Sequence, residues 1–304
     1  MRVSVIIPAF NRKKTIRRAV ESVLAQSYKP IELIVVDDGS VDGTAEELSE
    51  FGSRLRVIKQ PNAGPSAARN TGIRAATGDL VAFLDSDDAW LPEKLARQIS
   101  LLNQAPQAVC CICNATMLYP NGERRTSFEA AGLHPRHSDG VWTNPAEVLL
   151  TRFLLFNQVV VVRREVLTRA GYFPATLRIM EDYDLALRLA AAGHWAFSAE
   201  PLVIWHGGAE NSLSSNVRGN DIPAITYEIL TGFCRTPSGA HIKSHPLMRR
   251  RLFVLRHRAK AIELTRDRSP LRRLAGVIWL QIPRFFEATF NRLPSAPQME
   301  TRPA

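Results

Sequence analysis

The chain reads IELIVVDDGS from Ile31 to Ser40, a run of apolar residues that ends in two aspartates and a turn. The apolar, β-branched part is typical of a strand that is covered on both faces in a parallel sheet. Asp37 and Asp38 follow at its carboxyl end, which is where the ligand crevice of such a sheet lies. This stretch predicts the class of fold and the edge of the sheet that carries the site.

Strand and helix patterns alternate on both sides of this stretch. Thr44, with Glu47 three residues later, predicts a capping box at the start of a helix. Gly78 is expected to close a later helix, and Pro92 to lie in the first turn of the next. The predicted strands cover 3–7, 31–36, 55–58 and 80–84, and the predicted helices cover 15–24, a segment from Thr44, 66–76 and 93–103. This alternation predicts an α/β fold in which helices flank a sheet.

The rest of the chain is less regular. Asn121-Gly122 marks a turn, and the polar segment 123–145 is expected to be a loop over the site. Strands are predicted at 108–119, 153–162 and 195–205, and helices at 164–170 and at 182–192, the latter closed by Gly193. We place one domain over residues 1–222, a basic helical extension over 223–293 and a disordered tail over 294–304.

The composition is that of a globular protein with an uneven charge. Its 304 residues are 45% hydrophobic and 22% charged, which excludes wholesale disorder and collagen-like or disulfide-rich design. The whole formal charge of +10 falls in the last 79 residues, which hold 15 basic and 5 acidic side chains. Basic and apolar residues interleaved over 248–290 fit a helical cap on the main domain or an anionic membrane surface. Binding to nucleic acid is the weakest interpretation, and none is expected.

The cysteines and the hydropathy of the chain indicate where in the cell the protein is expected. Cys110, Cys111, Cys113 and Cys234 have no spacing typical of a disulfide framework, and one cluster without a second is insufficient for zinc, so we expect buried thiols. No stretch reaches the ~18 uninterrupted apolar residues of a spanning helix. We expect a cytoplasmic protein, peripheral on the cytoplasmic face of the membrane if the basic helices dock there.

A cluster of aspartates follows the predicted strand 80–84. Asp85, Asp87 and Asp88 would repel one another unless a cation or hydrogen-bond donors compensate them. Mg²⁺ or Mn²⁺ suits such a site, because these ions take one or two carboxylates and complete their shell with phosphates and water. The alternative is an acidic loop that caps the next helix.

A second acidic cluster, Met180-Glu181-Asp182-Tyr183-Asp184, opens a predicted helix. Acidic residues in a first turn are favoured by the helix dipole, so capping alone would account for some of them. Three carboxylates exceed what a cap requires. One of them, ionised at neutral pH, would serve as the general base that takes a proton from a hydroxyl nucleophile.

Taken together, these segments resemble the family 2 inverting glycosyltransferases with a GT-A fold, over residues 3 to about 215. The resemblance rests on the order and spacing of five segments, VSVIIPAFN (3–11), IVVDDGS (34–40), SAARN (66–70), DSDD (85–88) and Glu181-Asp182. A looser match is His206 in a WHGG run, where the glycines depart from the commoner family pattern.

The resemblance implies a role for individual residues. Asp182 would be the catalytic base, and Asp87, with Asp85, would hold the metal, which His206 would approach. Glu181 would lie on the acceptor side. Apart from the resemblance, Trp90 is a second acceptor-side candidate, because an aromatic ring can stack on a sugar, and core packing is the equal alternative for it. The nucleotide side would be formed by Pro8, Ala9, Phe10, Asn11, Asp38, Arg69, Asp85 and Ser86. Arg69 could equally be a surface arginine or a partner for the aspartates.

The implied reaction moves a sugar from a nucleotide-diphosphate donor, expected to be a UDP-sugar, to a hydroxyl of a glycan or lipid-linked acceptor. It would be a metal-assisted single displacement with Mn²⁺ or Mg²⁺, in cell-surface glycan or polysaccharide synthesis. The alternative is a catalytically inactive nucleotide-sugar-binding or membrane-surface scaffold protein. A nucleotidyltransferase is disfavoured, because the chain has no glycine-rich loop with a basic residue after the first strand and no P-loop.

Overall fold

The computed structural model of the protein describes residues 1–135, 137–177, 179–207, 221–266, 269, 271 and 275. The chain divides into two units, and a mixed sheet forms the centre of the first. Its strands are β1 Val3–Ala9, β2 Ile31–Asp37, β3 Arg56–Lys59, β4 Leu80–Phe83, β5 Ala89–Trp90, β6 Ala108–Leu118, β7 Arg124–Thr126, β8 Asp139–Trp142, β9 Val160–Arg163 and β10 His194–His206. The helices of this unit are α1 Ile16–Leu24, α2 Thr44–Ser49, α3 Pro65–Ala75, α4 Lys94–Gln104, α5 Ser127–Ala130, α7 Arg164–Ala170 and α8 Glu181–Ala192.

The second unit is helical over the residues described. It contains residues 146–151 of α6 (Pro145–Thr151), together with α9 (Ile222–Phe233), α10 (Pro237–Ala240) and α11 (Pro246–Thr265). Among the described residues, no helix has both the length and the hydropathy needed to cross a bilayer. The predicted basic run beyond residue 275 and the predicted disordered tail lie outside the described residues.

The sheet has the order β3-β2-β1-β4-β9-β6-β10-β5, with β7 beside β6 and β8 beside β10. The first four strands are mutually parallel, whereas β9 runs antiparallel to both β4 and β6. Ala9 pairs with Asp37 and Asp37 with Lys59, so the carboxyl ends of β1, β2 and β3 lie at one edge. The predicted α/β architecture is therefore confirmed.

Burial explains why these segments form strands. All seven residues of β1 are buried, and the apolar side chains of β4 are inaccessible to solvent, as expected for central strands covered on both faces. The other half of the sheet is held by aromatic packing of Trp195 on β10 against Trp142 on β8 and Phe156, with ring centroids 6.4 and 5.5 Å apart.

Several local expectations were wrong. The capping box at Thr44 does not form, because Gly43 is the N-cap residue and Asp42 accepts from the backbone N–H of Thr44. A capping box is found instead at Thr126 and Glu129, inside a segment predicted to be a loop. Gly78 does not cap α3; a Cβ there would lie 2.7 Å from the backbone nitrogen of Ser4, so glycine permits a close approach to β1.

Two longer segments also differ from the prediction. The segment 123–145 is not a loop, since it forms β7, α5 and β8, two of which are strands of the sheet. The predicted strand 153–162 is reduced to β9, because residues 157–159 form a 3₁₀ turn. That turn places the side chain of Gln158 toward the aspartate loop that follows β4.

Candidate active site

The carboxyl ends of β1 and β2 are joined by hydrogen bonds. Asn11 adopts a left-handed backbone conformation, with φ 53°, and its N–H donates to Ser40 Oγ at 2.9 Å. Its Oδ1 accepts from the backbone N–H of Val41, also at 2.9 Å. Pro8 and Ala9 are buried, whereas the ring of Phe10 is 44% exposed. In this predicted nucleotide segment, Phe10 is therefore the side chain most open to a ligand.

Asp38 is buried at the end of β2 and holds the loop that leads into α3. Its Oδ1 accepts from Gln60 Nε2 at 2.7 Å, and its Oδ2 accepts from the N–H of Gly64 at 2.8 Å. The N–H of Ala63 approaches both oxygens, at 3.0 and 3.2 Å. The carboxylate lies at the predicted edge of the sheet and fixes the shape of the neighbouring loop.

The aspartate loop after β4 contains carboxylates in different surroundings. Asp85 is held on both sides: Arg69 Nη2 donates to Oδ1 at 2.7 Å, and the amide of Gln158 donates to Oδ2. Asp87 Oδ2 lies 4.0 Å from Arg12 Nε, and the guanidinium of Arg18 donates to the backbone carbonyl of Asp87. The carboxylate oxygens of Asp87 are therefore held less tightly than those of Asp85, although the side chain of Asp87 is 18% exposed and that of Asp85 is 26% exposed. Ser86, between them, is buried.

Asp88, which is buried, and His206, whose side chain is 27% exposed, form a pair behind this loop. The backbone N–H of His206 donates to Asp88 Oδ1 at 2.8 Å, and His206 Nδ1 lies 3.9 Å from the same oxygen. Within the described part of the chain, Asp88 Oδ2 and His206 Nδ1 are both buried without a hydrogen-bond partner. Burial and the neighbouring Asp85 and Asp87 raise the pKa of Asp88 well above its ordinary value.

These atoms fit a divalent cation in part. Burial and Asp85 raise the pKa of Asp87, although Arg12 and Arg18 oppose the rise, so a cation beside it would restore its charge. Burial and Arg18 lower the pKa of His206, which favours the neutral imidazole that ligates metals. Among the described residues, no three His, Cys, Asp or Glu side chains are already grouped as a metal site. The arrangement suits an ion that draws most of its ligands from phosphates and water.

The second acidic cluster lies within reach of the first. Glu181 and Asp182 open α8, directly after Met180, whose φ of 60° is left-handed. Arg69 Nη1 donates to Glu181 Oε1 at 2.7 Å, while its other terminal nitrogen holds Asp85. One guanidinium from α3 therefore joins the two clusters, which are about a hundred residues apart in sequence.

Asp182 is half-buried, and one of its oxygens accepts from the N–H of Tyr183 at 2.8 Å. Burial and the adjacent Glu181 raise the pKa of Asp182 to about 7, although Arg69 counteracts them. The sequence led us to expect an ordinary, fully ionised carboxylate. A pKa near neutrality is instead that of a group able both to take and to release a proton at physiological pH.

The two residues predicted for the acceptor side are enclosed. Trp90 is 3% exposed, its Nε1 donates to the carbonyl of Gln158 at 3.0 Å, and Lys94 Nζ lies 3.9 Å from its ring centroid. Glu181 is buried in its ion pair with Arg69. In this conformation neither side chain is open to a ligand, so their acceptor role stays a prediction without support from this geometry.

Sequence reasoning missed two residues of this region. Gln158 bonds Asp85, and its only signal in the sequence is a pair of amides, Asn157-Gln158, that interrupts an apolar run. Phe153 is 55% exposed, and its ring lies 6.2 Å from that of Tyr183, next to Asp182. It thus provides an exposed aromatic surface close to the expected base.

The cysteines lie in the core, as expected from the sequence. Cys110, Cys111 and Cys113 on β6 are buried free thiols, and burial raises the pKa of each, to about 11 for Cys113. Cys113 Sγ contacts the carbonyl of Val159 at 3.6 Å. These contacts are those of packed side chains, with no reactive thiolate.

Solved structures show the same fold. TarS from S. aureus, residues 1–349 in complex with UDP-GlcNAc, matches with a TM-score of 0.70 and 20% identity, over 96% of this chain and 82% of that one. A mannosyltransferase from Pyrobaculum calidifontis, in complex with GDP-Man and Mn²⁺, matches with a TM-score of 0.55 and 18% identity, over 96% and 88%. The fold is the GT-A fold that the sequence predicted.

The sequence comparison identifies the family. The protein-family model described as "Glycosyl transferase family 2" matches residues 4–169, which is more than half of the chain. The chain therefore belongs to this family. The UDP-Glc:alpha-D-GlcNAc-diphosphoundecaprenol beta-1,3-glucosyltransferase WfgD of Escherichia coli is 44% identical over 102 residues, covering 33% of this chain and 40% of that protein. Alignments with three further relatives, all named as glycosyltransferases, span only 33%, 17% and 14% of those proteins.

Proposed function

We propose that this protein transfers a sugar from a UDP-sugar to a hydroxyl group of a glycan or lipid-linked acceptor, with inversion at the anomeric carbon. The observation that carries the proposal is the meeting of the two acidic clusters at Arg69, whose terminal nitrogens each lie 2.7 Å from a carboxylate oxygen of one cluster. Membership of the family and the UDP-GlcNAc bound to TarS support a nucleotide-sugar donor.

In the proposed reaction Asp182 is the general base. Its carboxylate takes the proton of the acceptor hydroxyl as that oxygen attacks the anomeric carbon from the face opposite the diphosphate. The bond from the anomeric carbon to the diphosphate oxygen breaks, and the nucleoside diphosphate leaves. The pKa of about 7 suits this task, because a base near neutrality is both available and strong enough to accept the proton.

On the donor side, Asp87 is the proposed metal ligand, with His206 and Asp88 behind it. A bound Mn²⁺ or Mg²⁺ would supply neutralisation of the charge that develops on the leaving diphosphate. Asp85 is a weaker candidate as a ligand, because Arg69 and Gln158 already engage its two oxygens. The exposed ring of Phe10 would lie against the nucleotide.

On the acceptor side, Phe153 is the proposed contact. Its exposed ring rests against Tyr183, which immediately follows Asp182, so an acceptor sugar or lipid stem could pack there beside the base. The choice of Phe153 over Trp90 and Glu181 rests on exposure, which those two residues lack.

The setting we propose is cell-surface glycan or polysaccharide synthesis at the cytoplasmic face of a membrane. The name of the E. coli relative, with its diphosphoundecaprenol acceptor, supports a lipid-linked substrate. The exposed basic residues of α11 support contact with anionic lipid.

The test is a panel of UDP- and GDP-sugars incubated with simple glycosides, in Mn²⁺, in Mg²⁺ and in EDTA, with release of the nucleoside diphosphate measured. Asp182→Asn is expected to lower turnover by about 10²–10⁴-fold while UDP binding, measured by calorimetry, is unchanged. Glu165→Gln, on the exposed face of α7, is the matched control and should keep full turnover. If nucleotide sugars bind but none is turned over, the inactive binding or scaffold protein is the better description.

A further inference from the structure

We infer that Arg69 is an internal positioning residue that joins the donor-side aspartate loop to the helix carrying the base, and that it does not contact the nucleotide. The family resemblance placed this arginine beside the nucleotide. The inference relies on the proposed function only for the role of Asp182.

The first support is the geometry of the guanidinium. Both terminal nitrogens are used inside the protein, on Asp85 and on Glu181, each at 2.7 Å. The side chain is only 5% exposed, and its Nε is buried without a hydrogen-bond partner among the described residues. A donor phosphate would have to displace one of two charge-assisted bonds to reach it.

The second support is the way the neighbouring residue fixes this arrangement. Asn70 Nδ2 donates to the carbonyl of Phe173 at 2.8 Å, and the N–H of Phe173 donates back to Asn70 Oδ1 at 2.9 Å. The ring of Phe173 lies 5.3 Å from the guanidinium carbon of Arg69 and packs edge-on against Phe83 of β4, with centroids 5.2 Å apart. Arg69 and Asn70 therefore connect α3 to the end of β4 and to the segment before α8.

The third support is electrostatic. Among the described residues, the charged groups with the largest effect on Asp182 are Glu181 on its own helix, Arg69 on α3 and Asp85 after β4. Glu181 and Asp85 raise the pKa of Asp182 and Arg69 lowers it. Because Arg69 is bonded to both of the other two groups, its position sets the balance among them.

The test titrates Asp182 directly. In metal-free protein, carbon-13 NMR of labelled aspartate side chains follows its carboxyl with pH, and calorimetry measures UDP binding. Arg69→Gln should raise the pKa of Asp182 by about one unit or more, because it removes a nearby opposite charge. Glu181→Gln should lower it by a similar amount, because it removes a like charge. Neither variant should weaken UDP binding by more than about threefold.

Arg74→Gln is the matched control, an exposed arginine on the same helix, and should change neither quantity. If Arg69→Gln does not fold, Arg69→Lys, which keeps the positive charge, supplies the UDP affinity and Glu181→Gln supplies the pKa shift. The side-chain amide that Glu181→Gln introduces can still accept a hydrogen bond from Arg69. The inference is overturned if Arg69→Gln and Glu181→Gln shift the pKa of Asp182 in the same direction, or if neither of them shifts it. It is also overturned if an Arg69 variant lowers UDP affinity by about tenfold or more, the loss expected for a direct charged contact. Both readouts are independent of turnover, so an inactive wild-type enzyme would contradict the proposed function and leave this inference to be judged separately.

Discussion

Asp182 carries a cost in stability that follows from the property proposed for catalysis. Its pKa of about 7 in the folded protein lies above the ordinary value of 3.8. Between these two values the folded state retains a proton that the unfolded chain has lost. Stability therefore falls as the pH rises from about 4 to about 7, and the penalty is complete above that range.

We therefore expect Asp182→Asn to be more stable than the wild type by about 1–3 kcal/mol at about pH 8, and no more stable at about pH 4. The asparagine oxygen can still accept from the N–H of Tyr183, so the local hydrogen bond remains. Urea unfolding at both pH values measures the difference. Glu165→Gln, which loses only an exposed ion pair, should show no such pH dependence. A wild type equal in stability to Asp182→Asn at the higher pH would show that the carboxylate is not strained by its surroundings.

At the scale of elements, the start of α8 depends on an unusual backbone conformation. Met180 is the N-cap residue, with φ 60° and ψ 19°, a region that costs about 1–2 kcal/mol for a residue with a side chain. This turn directs Glu181 and Asp182 into the site immediately after the strained residue.

Met180→Gly is expected to match or exceed the stability of the wild type, whereas Met180→Val should lose about 1–2 kcal/mol, because β-branched residues are least tolerant of positive φ. Chemical denaturation of both variants gives the order. The same pair of substitutions at Arg74, in the ordinary helical region of α3, should give the reverse order, with glycine the more costly. A valine at position 180 as stable as glycine would contradict the assignment of strain.

The same scale shows what the sequence could and could not predict. The four parallel strands were predictable because each contains a short local run of apolar residues, unbroken in Val3–Ala9, and the helices between them because their apolar residues recur at helical spacing. The segment 123–145 was misjudged because β7 and β8 are short strands whose partners, β6 and β10, are set by the rest of the sheet. Thr44 and Thr126 have the same capping pattern, and only the backbone before each decides which one forms the box.

The residues of the candidate site also differ in whether the sequence could predict them. The aspartates at strand ends could be identified because their position follows from the strand pattern alone. The partners of Asp85 could not, since Gln158 lies 73 residues away in sequence and reaches it only through the 3₁₀ turn at 157–159. The contact between Arg69 and Glu181 spans 112 residues, and both groups act on the pKa of Asp182, which burial raises most.

At the scale of the whole molecule, the two parts of the chain differ in net charge. Residues 1–225 carry no net charge, and the excess of ten positive charges follows them. On α11, Arg249, Arg256 and Lys260 are exposed, and spacings of seven and four residues place them on one face of the helix. Each such residue near an anionic bilayer contributes about 1 kcal/mol to binding.

We therefore expect the protein to co-sediment with vesicles of phosphatidylglycerol and phosphatidylcholine, and to bind phosphatidylcholine alone much more weakly, with affinity falling as salt is added. Replacing Arg249, Arg256 and Lys260 together with glutamine should weaken binding to the anionic vesicles by about 100-fold, the equivalent of about 3 kcal/mol. The matched control removes three exposed arginines of the first unit, Arg54, Arg56 and Arg74, and changes the net charge equally. If attraction depends only on net charge, both triple variants will lose the same affinity, and the basic face of α11 then has no special role. A larger loss for the α11 variant would assign the contact to that face.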